Sequence, residues 1–176
     1  NVGGVTFLRY AKIFQRKNNK QPPINIPVSI ITDLDIKPDE YMFGKDAKNT
    51  KTLQNFNITQ KMQEKENLYT SDLIKTFVSP AWTLEYCLAK NETLFPLILK
   101  LSSKLLAPET YNELKKEIEQ NPDNKACILI QTLFKKKISK TQLAYDLANQ
   151  LEFATIDTED KYTKYLFDAI RYASNF

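Results

Sequence analysis

The stretch "IPVSIITDLD", residues 26–35, constrains the fold of this chain more than any other. Residues 26–32 form a short, nearly continuous apolar run, rich in β-branched side chains and flanked by prolines. Such a run reads as a strand buried on both faces, the kind a parallel sheet covered by helices requires. It ends abruptly in two aspartates, Asp33 and Asp35. If the backbone stays extended past the strand, residues two apart point to the same side, so both carboxylates would share one face. Ligand sites in parallel α/β sheets lie beyond the carboxyl ends of the strands. Two neighbouring carboxylates repel unless a cation lies between them, and Mg²⁺ suits a few carboxylates, water and phosphate oxygens. The plainer reading is a polar turn closing the strand, since aspartate favours turns.

The elements around this strand extend the α/β pattern. "NVGG" reads as a strand end and a tight turn at Gly3 and Gly4. "VTFLRYAKIFQRK" places Phe7, Leu8, Ala11 and Phe14 on one helical face. The segment 37–72 is polar and reads as an insertion or surface excursion, within which "NITQKMQEKEN" has helical character but a thin apolar face. "LIKTFVS", residues 73–79, is a second strand candidate. Ser79 followed by Pro80 reads as a helix N-cap, with the helix running to about Lys90. Beyond it the pattern is helical. "TLFPLILKLSSKLL" is strongly apolar, "PETYNELKKEIEQN" is amphipathic, and "NKACILIQTLFKKK" is apolar with a basic end. In "SKTQLAYDLANQLE", Ser139 and Gln142 suggest a capping box, with Leu143, Ala144, Leu147, Ala148 and Leu151 as the buried stripe. A last helix is expected over about 161–173. The expected organisation is a core over 1–92 with an insertion at about 37–72, a helical part over 93–134, and C-terminal helices over 135–176.

Composition narrows the chemistry. The 176 residues contain no histidine, which excludes histidine bases, Ser-His-Asp triads and histidine metal sites. Only 3 glycines are present, so no glycine-rich phosphate loop is encoded. Cys87 and Cys127 lie far apart in no metal-binding or paired spacing, and a reducing, cytoplasmic setting is expected. No apolar run reaches membrane-spanning length, so no membrane association is expected. The net charge of +4 is compatible with a nucleic-acid partner.

Two further residues sit awkwardly for plain structure. Glu85, in "SPAWTLEYCLAK", has Ala81, Trp82, Leu88 and Ala89 at helical spacing and no basic partner along its own helix. A carboxylate among apolar neighbours needs an ion or a basic group from elsewhere, unless it lies exposed at an edge. Lys140 falls at the first position of its helix, where the helix dipole disfavours a cation but favours an anion that a lysine could help hold. Lys135, Lys136 and Lys137 precede it, either as an ordinary solvated basic loop or as a phosphate-binding stretch.

In order along the chain, "VGGVTFLRYAKIF", "IPVSIITDLD", "IKTFVSPAWTLEYCLA" and "SKTQLAYDLA" resemble the TOPRIM nuclease region of OLD-family (overcoming lysogenization defect) endonucleases. The resemblance implies a TOPRIM-like Rossmannoid parallel sheet flanked by helices, with a helical insertion or C-terminal helical part. It implies a two-metal DNA endonuclease that uses Mg²⁺ or Mn²⁺ in anti-phage defence. Asp33 and Asp35 match the family's metal-holding D-x-D pair, and Glu85 matches a further metal ligand. Lys140 matches a lysine that stabilises transition-state charge, and Gly4 matches the family's glycine turn. The basic run 135–137 would hold the DNA backbone, with binding that weakens steeply in salt. The family also carries a glutamate ahead of the first helix, a position that falls before Asn1, and an ATPase region through which ATP would act. Partners expected on this resemblance are DNA, that ATPase region, a UvrD-type helicase or other defence-system protein, and a second copy of the chain. Pro38 stands where topoisomerase-type TOPRIM domains have a glycine, which argues against a topoisomerase or primase. A haloacid-dehalogenase-type phosphatase also ends a strand in D-x-D, but expects threonine or valine where this chain has Lys37. A non-catalytic TOPRIM-like assembly or DNA-binding module is the remaining alternative.

Overall fold

The computed structural model describes residues 26–42, 51–70, 73–152 and 154–174, with the isolated positions Tyr10 and Ile13, both helical. Gly4 and the remainder of the first expected helix lie outside the described residues. The chain is an α/β protein with, among the described residues, a two-stranded parallel sheet and seven α-helices. Strand β1 (Val28–Thr32) pairs with β2 (Ile74–Val78) in the register Val28 opposite Ile74 through Thr32 opposite Val78.

Helix α1 (Ile58–Tyr69) connects the two strands and packs on β2. The segment 37–72 therefore supplies the helical crossover that a parallel pair requires, rather than only a surface excursion. Asn57 starts α1 by accepting the Gln60 amide at 3.1 Å. The thin apolar face is enough because α1 sends Ile58 and Met62 to the small cluster of Leu34, Ile36 and Val78, and Tyr69 to that of Ile30 and Ile74. On the other side of the sheet, α7 (Lys164–Ser174) packs on both strands. The Ser29 hydroxyl donates to the Ala169 carbonyl at 2.6 Å, and Phe77 meets Tyr172 with ring centroids 6.1 Å apart. This covering is incomplete. Ile31 on β1 remains 45% exposed, which corrects the expectation of a strand buried on both faces. Only Ile30 of β1 is fully buried, on the α1 side with Ile74.

Between β2 and the helical half, the helix starts later than Ser79-Pro80 suggested. Helix α2 (Leu84–Lys90) is capped by Thr83, whose hydroxyl accepts the Tyr86 amide at 3.3 Å. Ser79 is used across the sheet instead. Its hydroxyl accepts the Leu34 amide and donates to the Ala81 carbonyl, both at 2.9 Å. The main hydrophobic core lies beyond it, where α2 meets α3 (Leu94–Leu105), α4 (Pro108–Gln120), α5 (Lys125–Lys135) and α6 (Lys140–Leu151). Cys87, Ala89, Leu129 and Ile130 are completely enclosed there. In α6 the stripe is narrower than expected. Leu143 and Leu147 are buried and Leu151 packs against the core, but Ala144 and Ala148 face solvent. The capping box is half formed: Ser139 accepts the Gln142 amide at 3.2 Å, while the Gln142 side chain turns to Asp146 at 2.9 Å.

Candidate functional site

Trp82 ties the two strand ends together. The Asp35 amide donates to the Trp82 carbonyl at 2.8 Å, and the Trp82 amide donates to the Ile36 carbonyl at 3.1 Å. Its indole contacts Tyr41, Tyr86 and Phe134 at centroid distances of 5.2, 5.7 and 5.6 Å. One residue thus fastens the turn after β1 to the helices, by its backbone to the turn and by its indole to the aromatic core. Leu34 and Ile36 point into the core on either side of Asp35.

The turn itself leaves the extended conformation. Strand β1 ends at Thr32, and Asp35 adopts a left-handed backbone with φ 63°. Aspartate enters this region more readily than most residues because its short polar side chain bonds locally. The premise that the two aspartates share a face through strand alternation therefore fails. They are nonetheless held close enough to interact electrostatically. Asp33 Oδ1 accepts the Leu84 amide at 2.8 Å, satisfying one of the free N–H groups at the start of α2. Burial pushes the Asp33 carboxyl above its ordinary value of 3.8; the Leu84 amide opposes the shift, Glu85 and Asp35 add to it, and Lys140 opposes it.

Asp33, Asp35, Glu85 and Lys140 are therefore neighbours. Glu85, on the first turn of α2, pairs with Lys140 at the start of α6, with Oε1 2.9 Å from Nζ. Its partner comes from another helix, as one of the structural readings required. The pairing is partial, because Glu85 Oε2 is buried without a hydrogen-bond partner. The Lys140 ammonium also lies 4.6 Å from the Phe134 ring centroid. Lys135, Lys136 and Lys137 are all exposed. They end α5 in a Schellman turn: the Lys137 amide bonds the Phe134 carbonyl at 3.0 Å, the Ile138 amide bonds the Leu133 carbonyl at 3.1 Å, and Lys137 has φ 55°. Lysines at a helix C-terminus also suit the dipole there, so the run has a structural role besides any contact with phosphate.

Sequence reasoning missed two neighbours. Lys65 on α1 donates to Asp35 Oδ2 at 2.5 Å and to the Asp33 carbonyl at 2.6 Å. Its place in a polar, low-moment helix gave no signal. Tyr165 on α7 has a buried hydroxyl without a partner, within electrostatic reach of Cys87, Asp33 and Glu85. Burial pushes its phenol upward, so it stays neutral. Burial also pushes the Cys87 and Cys127 thiols up to about 12, which removes both as nucleophiles near neutral pH.

The cluster presents only carboxylate oxygens and ammonium groups. Among the described residues, no three histidine, cysteine or acidic side chains stand close enough together to hold a metal ion. The carboxylates face a backbone amide and two lysines instead. No helix among the described residues is long and apolar enough to cross a membrane. No family model, curated protein or solved structure matches the chain.

Proposed function

We propose that this chain is the nuclease region of an OLD-family protein, a TOPRIM-type, metal-dependent DNA endonuclease acting in cytoplasmic anti-phage defence. The observation that carries the reading is the gathering of Asp33, Asp35, Glu85 and Lys140 beyond the carboxyl end of a parallel strand, the place where α/β sheets bind ligands. The donor chemistry fits a hard divalent cation, since every candidate ligand is oxygen and Glu85 Oε2 is a buried acceptor without a partner. Asp33, Asp35 and Glu85 would hold Mg²⁺ or Mn²⁺. When bound, the ion supplies a nucleophilic water and offsets charge on a scissile phosphodiester.

The chain's own residues do the rest. Lys140 leaves Glu85 and turns its half-exposed ammonium to a phosphate oxygen, where it offsets growing negative charge. Lys135, Lys136 and Lys137 attract the DNA backbone without reading sequence. An ATPase region, a UvrD-type helicase or other defence partner, and self-association belong to the same reading. The test is nicking of supercoiled plasmid by the full chain with its ATPase region, in Mg²⁺ or Mn²⁺. Glu85→Gln and Asp35→Asn should each lower nicking at least a hundredfold while the circular dichroism spectrum is unchanged. Full activity in either variant sinks the assignment.

One observation favours a second reading, a non-catalytic TOPRIM-like module. Asp33 caps a helix, and both Asp35 and Glu85 already have lysine partners, so most of the cluster has a structural use. Calorimetric titration with Mn²⁺ separates the two, because a pure scaffold gives no binding heat that depends on Asp35.

A further inference from the structure

Lys65 approaches the acidic turn from outside the set of residues that spacing singled out. It lies on the crossover helix α1, thirty positions along the chain from Asp35. Its neighbour Lys61 makes an ordinary exposed pair with Glu64 one turn along the helix. Lys65 instead reaches across to the end of β1. Its side chain is only 28% exposed, which is low for a lysine, whereas that of Asp35 is 68% exposed. Its ammonium bonds one carboxylate oxygen of Asp35 and the backbone carbonyl of Asp33. A carboxylate and a carbonyl oxygen from a D-x-D turn are the kind of hard donors that a divalent cation takes. The bond to the carbonyl also braces a backbone whose next residue but one is left-handed.

The geometry points to Lys65 as a resident cation of the acidic turn, a positioning residue that holds Asp35 and that a divalent ion must displace in order to bind. This inference rests on the metal-site reading above. It accounts for how the charge of the acidic cluster is balanced: the ammonium neutralises Asp35 from the α1 side while Lys140 neutralises Glu85 from the α6 side. A positive charge at that point opposes a second cation directly, so the lysine sets the metal affinity and keeps it weak. A side chain that merely supported the turn would do the reverse, since its loss would loosen the ligands and weaken binding.

The experiment is isothermal titration of Mn²⁺ alone into the full chain and into Lys65→Gln, Lys65→Met and Lys61→Met. Glutamine retains a donor for the Asp33 carbonyl and loses the charge, so it preserves the turn, and circular dichroism checks the fold. Lys65→Gln should bind Mn²⁺ about three- to tenfold more tightly than the parent, the effect expected from removing one partly screened ion pair. Lys61→Met removes the same charge one turn away and should change the affinity by less than about twofold. Equal or weaker binding by Lys65→Gln, with the parent binding intact, overturns the resident-cation role and leaves the metal site standing. An equal gain in Lys61→Met and Lys65→Gln also overturns it, because net charge alone would then explain the change. No binding heat in the parent or any variant overturns the metal-site reading, and this inference with it.

Discussion

Replacing Lys140 with methionine tests the cluster through stability alone. At 2.9 Å, and with the effective dielectric of about 20 that suits partly buried pairs, the gross attraction between Glu85 and Lys140 is about 6 kcal/mol. Most of it is offset. The Glu85 side chain is 19% exposed and has lost much of its hydration, while Lys140, 56% exposed, gives up rotamer freedom to hold one geometry. The net coupling should therefore fall between the exposed and buried limits, at about 1–2 kcal/mol. The two single variants should not be equal. Lys140→Met keeps the packing on Phe134 but leaves a largely buried carboxylate with neither oxygen paired to a cation. Glu85→Gln leaves only a half-exposed ammonium, which water can serve. Lys140→Met should thus cost more, and adding Glu85→Gln to it should restore part of the loss. The assay is urea unfolding of the parent, both single variants and the double variant at pH 7 in EDTA. In a chain of this length a loss of about 1–2 kcal/mol would lower the thermal midpoint by roughly 2–8 °C. A coupling below about 0.3 kcal/mol, or Glu85→Gln costing more than Lys140→Met, would refute the placement of Lys140 against Glu85.

Asp33 should make the metal-free protein less stable as pH rises. Its folded carboxyl holds a proton to higher pH than the unfolded one, so stability falls from about pH 3.8 upward through the raised value and stays lower; Asp33→Asn, which can still accept the Leu84 amide, should exceed the parent in urea midpoint at pH 7 and lose that gain by about pH 3. At position 137, φ 55° favours glycine, so Lys137→Gly should be more stable than Lys137→Ala by about 1 kcal/mol in 0.5 M salt, where the dipole term is screened; equal midpoints would mean that the Schellman turn does not form in solution. Leu129 is 0% exposed, and Leu129→Ala should cost about 2–5 kcal/mol, read as a fall in urea midpoint with an unchanged m-value. Tyr165→Phe removes a buried hydroxyl without a partner and should leave the metal-free midpoint unchanged or slightly raised; a loss above about 1 kcal/mol would mean that the hydroxyl is bonded in solution.

The parts of the fold that could be read from sequence were those governed by local pattern. Strand β2 and helices α3 to α6 follow apolar periodicity and short-range caps, and they stand close to where those signals put them. The errors came where a partner distant in sequence outweighed a local rule. Ser79 and Pro80 have the local form of a helix start, yet the Ser79 hydroxyl is taken by Leu34, forty-five positions away, and the helix waits for Thr83 and Asp33. Ile31 lies in an apolar run, but how much of that run is covered depends on how far α7 extends over the sheet, which no strand pattern encodes. Ala144 and Ala148 satisfy helical spacing with Leu147, yet alanine offers little area to bury, and the leucines alone decide the angle at which α6 lies on the core.

The candidate site was legible for a related reason: its residues violated local rules. Glu85 lacked a helical partner, Lys140 stood at the wrong end of a helix dipole, and two aspartates stood one residue apart; Glu85 and Lys140 satisfy each other, while Asp33 takes the Leu84 amide and Asp35 takes Lys65. Lys65 violated nothing. A lysine in a polar helix with a thin apolar face is unremarked in sequence, and only the path of α1 across β2 brings its ammonium to the Asp33 carbonyl. The same asymmetry bears on function. A cluster assembled purely for stability would settle its charges pairwise, as Lys61 does with Glu64. Here the settlement leaves Glu85 Oε2 and the Tyr165 hydroxyl buried without partners beside an aspartate whose ionised form burial disfavours. Each costs folding free energy that a plain helix cap and two ion pairs do not require. A divalent cation among these carboxylates would relieve the Glu85 oxygen and offset the lost hydration of Asp33 together, and it would have to move two lysines to do so.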